Sequence, residues 1–476
     1  MERFSTVAAI LLLTLSIAMQ ISAQEGALPK DIFPDSRNRL PLLKPENVSE
    51  RLKRTYDNAV ANFAGAEARG ALIRLHASPV TNLQMESPTG LDLSQIAILI
   101  TGREHDQPYE WSLHELQALA VSLDPAVIDV IRRNQPLTKL GEKEAIIIEV
   151  GREIFRTHKL GSDTYAHALR VLGKTGLMDM VALMADYAGT SATLTAFNQH
   201  MPAGFKQFLP LPFTPPDDFY PDSRNRLPLL PAVSPNPATV LYTRPMTPEG
   251  TGPGQIRRHG AGLKSLQASV GRRTIDVAIL VSAREHDSQY DWTINEPAAV
   301  KDGLEPKVID VIRDRKPTSD LNEKDASLID FGRELFGKHN VATQTYARVN
   351  KVYGDRDLTD LVAVLSQHAS EATLLAAFDQ HLPAGRRALC CASTGTPGSP
   401  SSRTKTYTTS GCKFEGLVQA SQPRAAREWR RCLDLRVAGF DDRELALASI
   451  VDSRTFRTMD LCACSGRFTG RKRLAE

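Results

Sequence analysis

The sequence AILITGREHDQPYEWSLHE, from Ala97 to Glu115, returns as AILVSAREHDSQYDWTINE from Ala278 to Glu296, 181 residues later. The decapeptide PDSRNRLPLL at Pro34–Leu43 recurs unchanged at Pro221–Leu230, 187 residues later. The spacing between the copies thus falls from 187 to 181 residues, which places a net deletion of six residues in the early part of the second copy. Self-similarity at a nearly fixed spacing indicates a repeated structural unit. The chain has 476 residues, more than one hydrophobic core usually serves, so two domains are expected.

The repeat divides the chain into five predicted parts. Two domains are expected at 31–205 and 218–386, the first and second repeat. A linker is predicted at 206–217, where the sequence FKQFLPLPFTPP is rich in proline, has few backbone donors and stays extended. The other parts are an N-terminal segment, 1–23, and a basic C-terminal tail, 387–476. The tail opens with a mixture of Ser, Thr, Gly and Pro that is typical of disordered, low-complexity chain.

The N-terminal segment has the pattern of a signal peptide. Glu2 and Arg3 precede an almost wholly apolar run from Val7 to Met19, and Ala23 supplies a small residue for cleavage. That run is shorter than the about 20 residues that a membrane-spanning helix needs. The protein is therefore expected to be secreted or periplasmic. No later segment predicts a membrane span, so no contact with membrane is expected after signal cleavage.

Positive charge and cysteine are both concentrated in the tail. The net charge is +3, but Arg386–Glu476 holds 14 Arg and 3 Lys against 9 acidic residues, which is +8 and leaves about −5 for the remainder. An acidic main body does not attract phosphate backbones, which argues against nucleic acid as a partner. All six cysteines lie in the same tail, where oxidation would allow fifteen pairings. Neither predicted domain contains a thiol.

Apolar residues within each repeat follow a helical period. They recur at spacings of three and four in Lys143–His158, at Ile147, Val150, Gly151, Ile154 and Phe155. The second copy repeats the pattern in Asp325–His339, at Leu328, Phe331, Leu335 and Phe336. Four side chains indicate helix starts: Asp124 and Glu305, each followed by proline, and Ser162 and Thr343, just ahead of helical runs. Alternating β segments are absent from the sequence, so the predicted fold class is all-α, with six to eight helices in each repeat.

Taken in order, the blocks of the repeat resemble the carboxymuconolactone decarboxylase family, whose fold is shared with the alkylhydroperoxidase D-like proteins. The blocks are AILITGREHDQPYEWSLHE, IDVIRRNQP, the EKEA helix with GREIFRTH, SDTYAHAL and LTAFNQHMPAG. The resemblance covers nearly all of both repeats and does not reach the tail. It implies tandem all-helical domains in which a helical hairpin carries the active centre. The two copies would form a pseudo-dimer within one chain, which could associate further into a homo-oligomer.

The redox branch of this family places a Glu, a CxxC pair and a His on the hairpin, where one thiolate attacks a peroxide and the second thiol resolves the product. In the first repeat the matching positions hold Gln95, Gln107, Glu110 and His114. In the second repeat they hold Asp276, Ser288, Asp291 and Asn295. Since sulfur is missing from all of them, the resemblance does not favour a peroxiredoxin-type antioxidant activity.

The decarboxylase branch asks for a group that holds a carboxylate and a group that protonates the resulting carbanion or enolate. In the first repeat Arg103 is the candidate anion holder, Tyr109 a hydrogen-bond donor, and the candidate proton carriers are His105, Glu110 and His114. A helix over this segment would place Glu110 and His114 one turn apart on the same face. The second repeat keeps Arg284, Glu285, His286, Tyr290 and Asp291 but has Asn295 in place of His114, so the first repeat is the better candidate for activity.

Two functions follow from this pattern. The protein is expected to be a cofactor-free lyase that acts by proton transfer on a small carboxylated lactone or related acid. The alternative is a non-catalytic binding or assembly protein that keeps the fold. Several of these residues also have a structural explanation. Arg103 and Glu104 can form an ion pair, and Trp111 and Trp292 can pack in the core. His158 and His339 end their helices, where the helix macrodipole favours a positive charge. The sequence has no HExxH motif and no paired CxxC motif, so no metal site is predicted.

Overall fold

The structure is a computed structural model that describes residues 28–62, 72–80, 82–202, 204–205, 208–209, 216–231 and 252–391. Within those ranges the chain forms fourteen α-helices and no strand, so the predicted all-α class is confirmed. The first repeat contains α1 (Glu50–Asn62), α2 (Leu83–Glu86), α3 (Leu91–Glu104), α4 (Pro108–Ala120), α5 (Pro125–Arg132), α6 (Glu142–Thr157) and α7 (Ser162–Ala196). The second contains α8 (Pro253–Arg257), α9 (Leu263–Val270), α10 (Arg272–Glu285), α11 (Gln289–Lys301), α12 (Pro306–Arg313), α13 (Glu323–Gly337) and α14 (Thr343–Ala377). Short 3₁₀-helices cover Pro45–Asn47 and Arg74–His76.

All five predicted parts include residues outside the described ranges, among them 63–71 of the first repeat and 232–251 of the second. The predicted signal peptide, 1–23, lies wholly outside the described ranges, as does the tail after residue 391. Of the predicted linker, 206–217, only residues 208–209 and 216–217 are described. None of the described helices is long and apolar enough to cross a membrane.

The five helices from α3 to α7 return in the second repeat as α10 to α14. The helical period in Lys143–His158 and Asp325–His339 belongs to α6 and α13, whose bounds lie within two residues of the predicted ones. Both of the longest helices bend at the same place in the repeat, at Gly173 with φ 70° and Gly354 with φ 71°. A left-handed φ is one that glycine adopts without steric cost. The repeated glycine therefore fixes the bend of α7 and α14.

The predicted helix starts are only partly correct. Asp124 caps α5, where its side chain accepts a hydrogen bond of 2.8 Å from the backbone N–H of Ala126. Glu305 precedes α12 without such a bond. Ser162 and Thr343 are themselves the first residues of α7 and α14, so the residues ahead of them occupy the cap position. The prediction of these two as caps was wrong by one residue.

The two repeats meet along the C-terminal halves of α7 and α14. Gly189 of α7 lies so close to α14 that a methyl group added there would come within 2.8 Å of the Ser366 carbonyl oxygen. Hydroxyl groups tie the same faces together: Thr193 Oγ1 and Ser366 Oγ are 3.0 Å apart, and Ser370 Oγ donates to the Ala185 carbonyl at 2.6 Å. Small residues thus allow close approach of two backbones, and hydroxyl groups satisfy the polar atoms buried between them.

The ends of these helices exchange between the two hydrophobic cores. Phe378, which follows α14 of the second repeat, packs in the first core, where its ring meets the Tyr165 ring edge-on at 6.3 Å. Phe197, which follows α7 of the first repeat, packs in the second core against Tyr346 at 6.2 Å. Each fully buried phenylalanine contributes about 1.5–3 kcal/mol to the core that it enters. The two repeats are therefore parts of one cooperative structure.

The invariant PDSRNR motif stabilises this exchange. Buried Arg39 donates to the Leu160 carbonyl of the first repeat at 2.7 Å and to the Ala377 carbonyl of the second at 3.1 Å. Its counterpart Arg226 donates to the Ala196 carbonyl of the first repeat at 3.3 Å and to the Val341 carbonyl of the second at 2.7 Å. A guanidinium has five donors in a fixed fork, which suits it to bridge two helix ends.

Candidate functional site

The predicted site of the first repeat lies on the hairpin formed by α3 and α4. Asp106 turns the chain between them with φ 47°, a left-handed conformation in which Asp is enriched among residues other than glycine. Gln107 precedes α4, and its side-chain oxygen accepts a hydrogen bond of 2.8 Å from the Tyr109 N–H. The glutamine that stands at the first position of the family's CxxC pair is thus a helix cap.

Glu110 and His114 lie one turn apart on α4, as their spacing predicts. Both side chains are buried, with exposed fractions of 2% and 3%. His114 Nδ1 is 3.0 Å from Gln95 Oε1 on α3, and Ser191 of α7 donates to Glu110 Oε2 at 3.0 Å. The other carboxyl oxygen, Glu110 Oε1, is buried without a hydrogen-bond partner among the described residues.

Burial shifts the pKa values of the two groups in opposite directions. Loss of hydration raises the pKa of Glu110 well above its usual range, and the Ser191 hydrogen bond offsets only part of that shift. Burial lowers the pKa of His114 to about 3. Since the Gln95 oxygen is an acceptor, Nδ1 of the neutral imidazole carries the proton and Nε2 keeps its lone pair. Burial therefore favours the uncharged form of each side chain.

A cleft of about 450 Å³ lies at the surface of the first repeat, and neither Glu110 nor His114 lines it. Its polar lining comprises Thr55, Arg74, Ser78, Asn82, Gln84, Asp186 and Tyr187. Tyr187 also meets the His114 ring edge-on at 4.9 Å, and its hydroxyl donates to Gln84 Oε1 at 2.9 Å. Arg74 forms an ion pair of 2.7 Å with Asp186 at the rim. Sequence reasoning missed Tyr187 because it lies on α7, far along the chain, with no motif to single it out.

Arg103 and Tyr109 do not join this group. The Arg103 guanidinium bonds to Asp106 at 2.6 Å and to the Arg132 carbonyl at 2.8 Å, so it closes the hairpin and does not hold an anion beside Glu110. The Tyr109 ring is buried in the core of the second repeat. The anion-holding role predicted for Arg103 is thus not supported, and its ion pair is with Asp106, whereas Glu104, the partner that the competing explanation named, pairs with Arg156.

His105 lies in a different cluster, between the two repeats. Its ring stacks on His339 of the second repeat at 5.4 Å, and symmetrically His286 lies 6.0 Å from His158 of the first. The four rings line a cavity of about 40 Å³, which is room for a few water molecules. The Nδ1 atoms of His105 and His286 bond to the Thr101 and Ser282 carbonyl oxygens at 2.9 and 2.8 Å. Burial lowers the pKa of His105 to about 4 and that of His286 to about 3.

This cluster separates His105 from the other predicted proton carriers. His105 contacts the second repeat, whereas Glu110 and His114 face the interior of the first. The helix macrodipole was a sufficient explanation for His158 and His339 in the sequence. Both residues follow the ends of their helices, with φ 55° and 51°, and both also line the cavity. Trp111 and Trp292 are fully buried, as core packing predicts.

The second repeat carries charged groups where the first carries neutral ones. Asp291, the counterpart of Glu110, is 2.9 Å from His368 Nδ1 and accepts a hydrogen bond of 2.7 Å from Asn295. Burial opposes a charge on His368, but the charge and hydrogen bond of Asp291 raise its pKa to about 9. Burial, and then the charge of Asp291, raise the pKa of Glu371 to about 7. Sequence reasoning missed His368, which occupies the position of Tyr187.

The other predicted groups of the second repeat, Arg284 and His286, lie apart from Asp291. Arg284 forms an ion pair with Asp287 and donates to the Arg313 carbonyl at 2.6 Å, the same hairpin closure that Arg103 makes. His286 belongs to the cavity between the repeats. The two hairpins are therefore alike in their turns and different in the side chains that face their cores.

The expectation that thiols are confined to a separate tail needs correction. Cys390 is 8% exposed and belongs to the core of the second repeat, and Cys391 packs against the same core. Just ahead of them the Leu389 N–H donates to Thr293 Oγ1 at 3.2 Å. Residues 387–391, assigned to the tail by composition, thus continue the fold.

Within the described ranges, no three or more His, Cys, Asp or Glu side chains are arranged to hold a metal ion. Comparison with protein families, with curated proteins and with solved structures finds no match to this chain.

Proposed function

We propose that the first repeat binds a small carboxylated lactone or related acid in the cleft beside Tyr187 and transfers a proton to it without a cofactor. The observation that carries the proposal is the placement of two buried titratable side chains, Glu110 and His114, one turn apart on α4, with pKa values that burial shifts in opposite directions. Environments that push two titratable groups to opposite roles are typical of acid and base catalysts.

The cleft offers a place for such a ligand. A volume of about 450 Å³ lies within the range of about 300–1,000 Å³ that small-molecule sites occupy. Arg74, which is 37% exposed at its side chain, can exchange its ion pair with Asp186 for a carboxylate of the ligand. Tyr187 lines the cleft and its ring contacts the His114 ring, so in this proposal it is the side chain between the bound ligand and His114.

The proposed reaction breaks one carbon–carbon bond and transfers one proton. When the bond between the carboxylate and its neighbouring carbon breaks, carbon dioxide leaves and the electron pair stays behind as an enolate. One proton then completes the product, and the Glu110 carboxylic acid is the group that can supply it. A proton from the solvent then restores the Glu110 acid. His114, whose lowered pKa makes it a weak base, can pass that proton along at Nε2 without holding it. The net reaction consumes one proton and releases carbon dioxide, with no oxidation or reduction.

A substitution series in the full chain tests this proposal. Thermal unfolding is first measured against lactone acids, since a ligand that prefers the native state raises the melting temperature. Arg74→Ala should abolish that rise.

With a ligand that binds, release of carbon dioxide and uptake of solvent deuterium into the product are followed by NMR. His114→Ala should lower turnover by about 100-fold or more, the range of general acid–base catalysis.

The second repeat provides the matched control. Asn295→Ala changes the position that corresponds to His114 and should alter turnover less than about twofold, because the pair described above is absent there. Equal losses from the two substitutions would contradict the proposed asymmetry. Failure of every lactone acid to shift the melting temperature would contradict the proposed ligand class.

The burial of Glu110 and His114 favours a second candidate, a binding protein without catalysis. Their exposed fractions of 2% and 3% leave the pair behind Tyr187, whereas the cleft itself is open. In that case ligands still raise the melting temperature and Arg74→Ala still abolishes the rise. Neither deuterium uptake nor carbon dioxide release then exceeds the rate without protein.

A further inference from the structure

Two adjacent thiols, those of Cys390 and Cys391, lie side by side against the second repeat. Their sulfur atoms are 2.7 Å apart, a separation only slightly longer than the about 2.0 Å of a disulfide bond. Cys391 has φ 57°, the left-handed conformation, which turns its side chain toward that of its neighbour. Cys390 is buried and Cys391 half-buried, so one sulfur of the pair can be reached from solvent.

An arginine stands beside this pair. Arg284 Nη1 is 4.0 Å from Cys391 Sγ, and Gln289 Nε2 donates to the Cys391 carbonyl at 3.4 Å. The hydrogen bond between the two thiols, and then the positive charges of Arg284 and Arg313, lower the pKa of Cys390, although burial opposes the shift. The same hydrogen bond, and then burial, raise the pKa of Cys391, so the pair shares one negative charge, which either sulfur can carry. A thiol pair beside a guanidinium gives up its first proton more readily than an isolated buried thiol.

The first repeat shows that this pair is a feature of the second repeat alone. The Phe208 N–H donates to Ser112 Oγ at 2.9 Å, just as the Leu389 N–H donates to Thr293 Oγ1. The next residue is Leu209, which is buried in the first core as Cys390 is in the second. The fold accepts a leucine at this position, so packing does not require a cysteine there.

We propose that Cys390 and Cys391 form a redox site that undergoes thiol–disulfide exchange with small disulfides. In the first step the Cys391 thiolate attacks one sulfur of the small disulfide, forms a mixed disulfide and releases one small thiolate. In the second step the Cys390 thiolate attacks Cys391 Sγ, closes the intramolecular disulfide and releases the second thiolate. The protein loses two electrons and two protons, and the small disulfide gains them as two thiols.

A disulfide between neighbouring residues closes an eight-membered ring that is easily reduced, because consecutive Cα atoms lie about 3.8 Å apart and disulfides usually span about 4.4–6.8 Å. A sulfur–sulfur bond is about 2.0 Å long, and the two atoms already face each other at 2.7 Å. Arg284 stays in place during both steps because it is fixed by Asp287 and by the Arg313 carbonyl. Its charge stabilises each thiolate as it forms.

The experiment uses the full chain with the other four cysteines replaced by serine, at Cys412, Cys432, Cys462 and Cys464. The reduced protein is incubated with oxidised glutathione, the remaining thiols are blocked with iodoacetamide, and the intact mass is measured. We expect loss of two hydrogen atoms, no retained glutathione and no alkylation of either cysteine. Complete alkylation of both cysteines would overturn the proposal, as would a glutathione adduct that persists.

Two variants and one control assign the roles. Cys390→Leu, which installs the residue of the first repeat, should fold and retain glutathione on Cys391, because the resolving thiol is gone. Arg284→Gln should slow the oxidation at pH 7 by at least about threefold. Arg103→Gln removes the corresponding arginine of the first repeat and should leave the rate unchanged. Equal rates for Arg284→Gln and Arg103→Gln would exclude the arginine from the site. No retained adduct in Cys390→Leu would contradict attack by Cys391.

Discussion

The pair formed by Asp291 and His368 makes the stability of the second repeat depend on pH. His368 Nδ1 is 2.9 Å from Asp291 Oδ2, and the side chains are 14% and 4% exposed. The pKa of His368 is about 9 in the folded chain, against 6.5 for an unperturbed histidine. Because the folded value is the higher one, the stabilisation is fully present below about pH 6.5 and is lost as pH rises through 9.

The magnitude follows from these two values. A difference between 6.5 and about 9 is worth about 3 kcal/mol when the stabilisation is complete, since one pKa unit corresponds to about 1.4 kcal/mol. At pH 7 most of it remains, and at pH 10 almost none. Asp291→Asn keeps the size of the side chain and removes its charge. It also relieves the repulsion on Glu371, so about 3 kcal/mol is the upper value of the loss at pH 7.

Urea unfolding followed by far-ultraviolet circular dichroism measures this effect. The free energy of unfolding of Asp291→Asn should fall below that of the wild type by up to about 3 kcal/mol at pH 7, and the difference should nearly vanish at pH 10. Glu110→Gln serves as the control, because burial raises the pKa of the corresponding carboxyl group of the first repeat, whose hydrogen-bond partner is the uncharged Ser191. A loss of the same size at both pH values would refute the assignment of the ion pair.

Two further predictions concern packing. Gly189→Ala should lower the free energy of unfolding by about 1–3 kcal/mol, because the new methyl group would press on the Ser366 carbonyl; Gly254→Ala, with nothing within 4 Å of the added carbon, should change it little. Equal denaturation midpoints for these variants would contradict the close approach of α7 and α14. A chain that ends at Gly385 should melt at a lower temperature than one that ends at Cys391, because it lacks the Leu389 hydrogen bond and the buried Cys390 side chain. Indistinguishable melting temperatures would show that residues 386–391 add nothing to the fold.

Local patterns in the sequence predicted local structure well. The spacing of apolar residues predicted α6 and α13 to within two residues, because a buried helix face imposes its own period. The spacing of Glu110 and His114 predicted their shared face on α4 for the same reason. Asp124 was recognised as a cap because its side chain acts on the backbone two residues away.

Relations between distant segments could not be predicted in this way. His105 meets a histidine of the other repeat, and Tyr187 reaches the site from the long helix α7. No spacing within one segment encodes either contact. Cys390 was misassigned because the composition of the tail is averaged over many residues, whereas its burial depends on five residues that continue the fold. Arg103 was assigned a chemical role from its residue type alone, although its partners are backbone and Asp106.

The crossing of helix ends between the two cores makes each repeat depend on the other for a complete interior. Phe378 completes the interior of one copy and Phe197 that of the other, so an isolated copy would lack a piece of its own interior. Deletion of either half would leave the surviving half with an unfilled gap facing water. A half on its own would need a second molecule to supply the missing phenylalanine, whereas in the full chain each half receives it from the other.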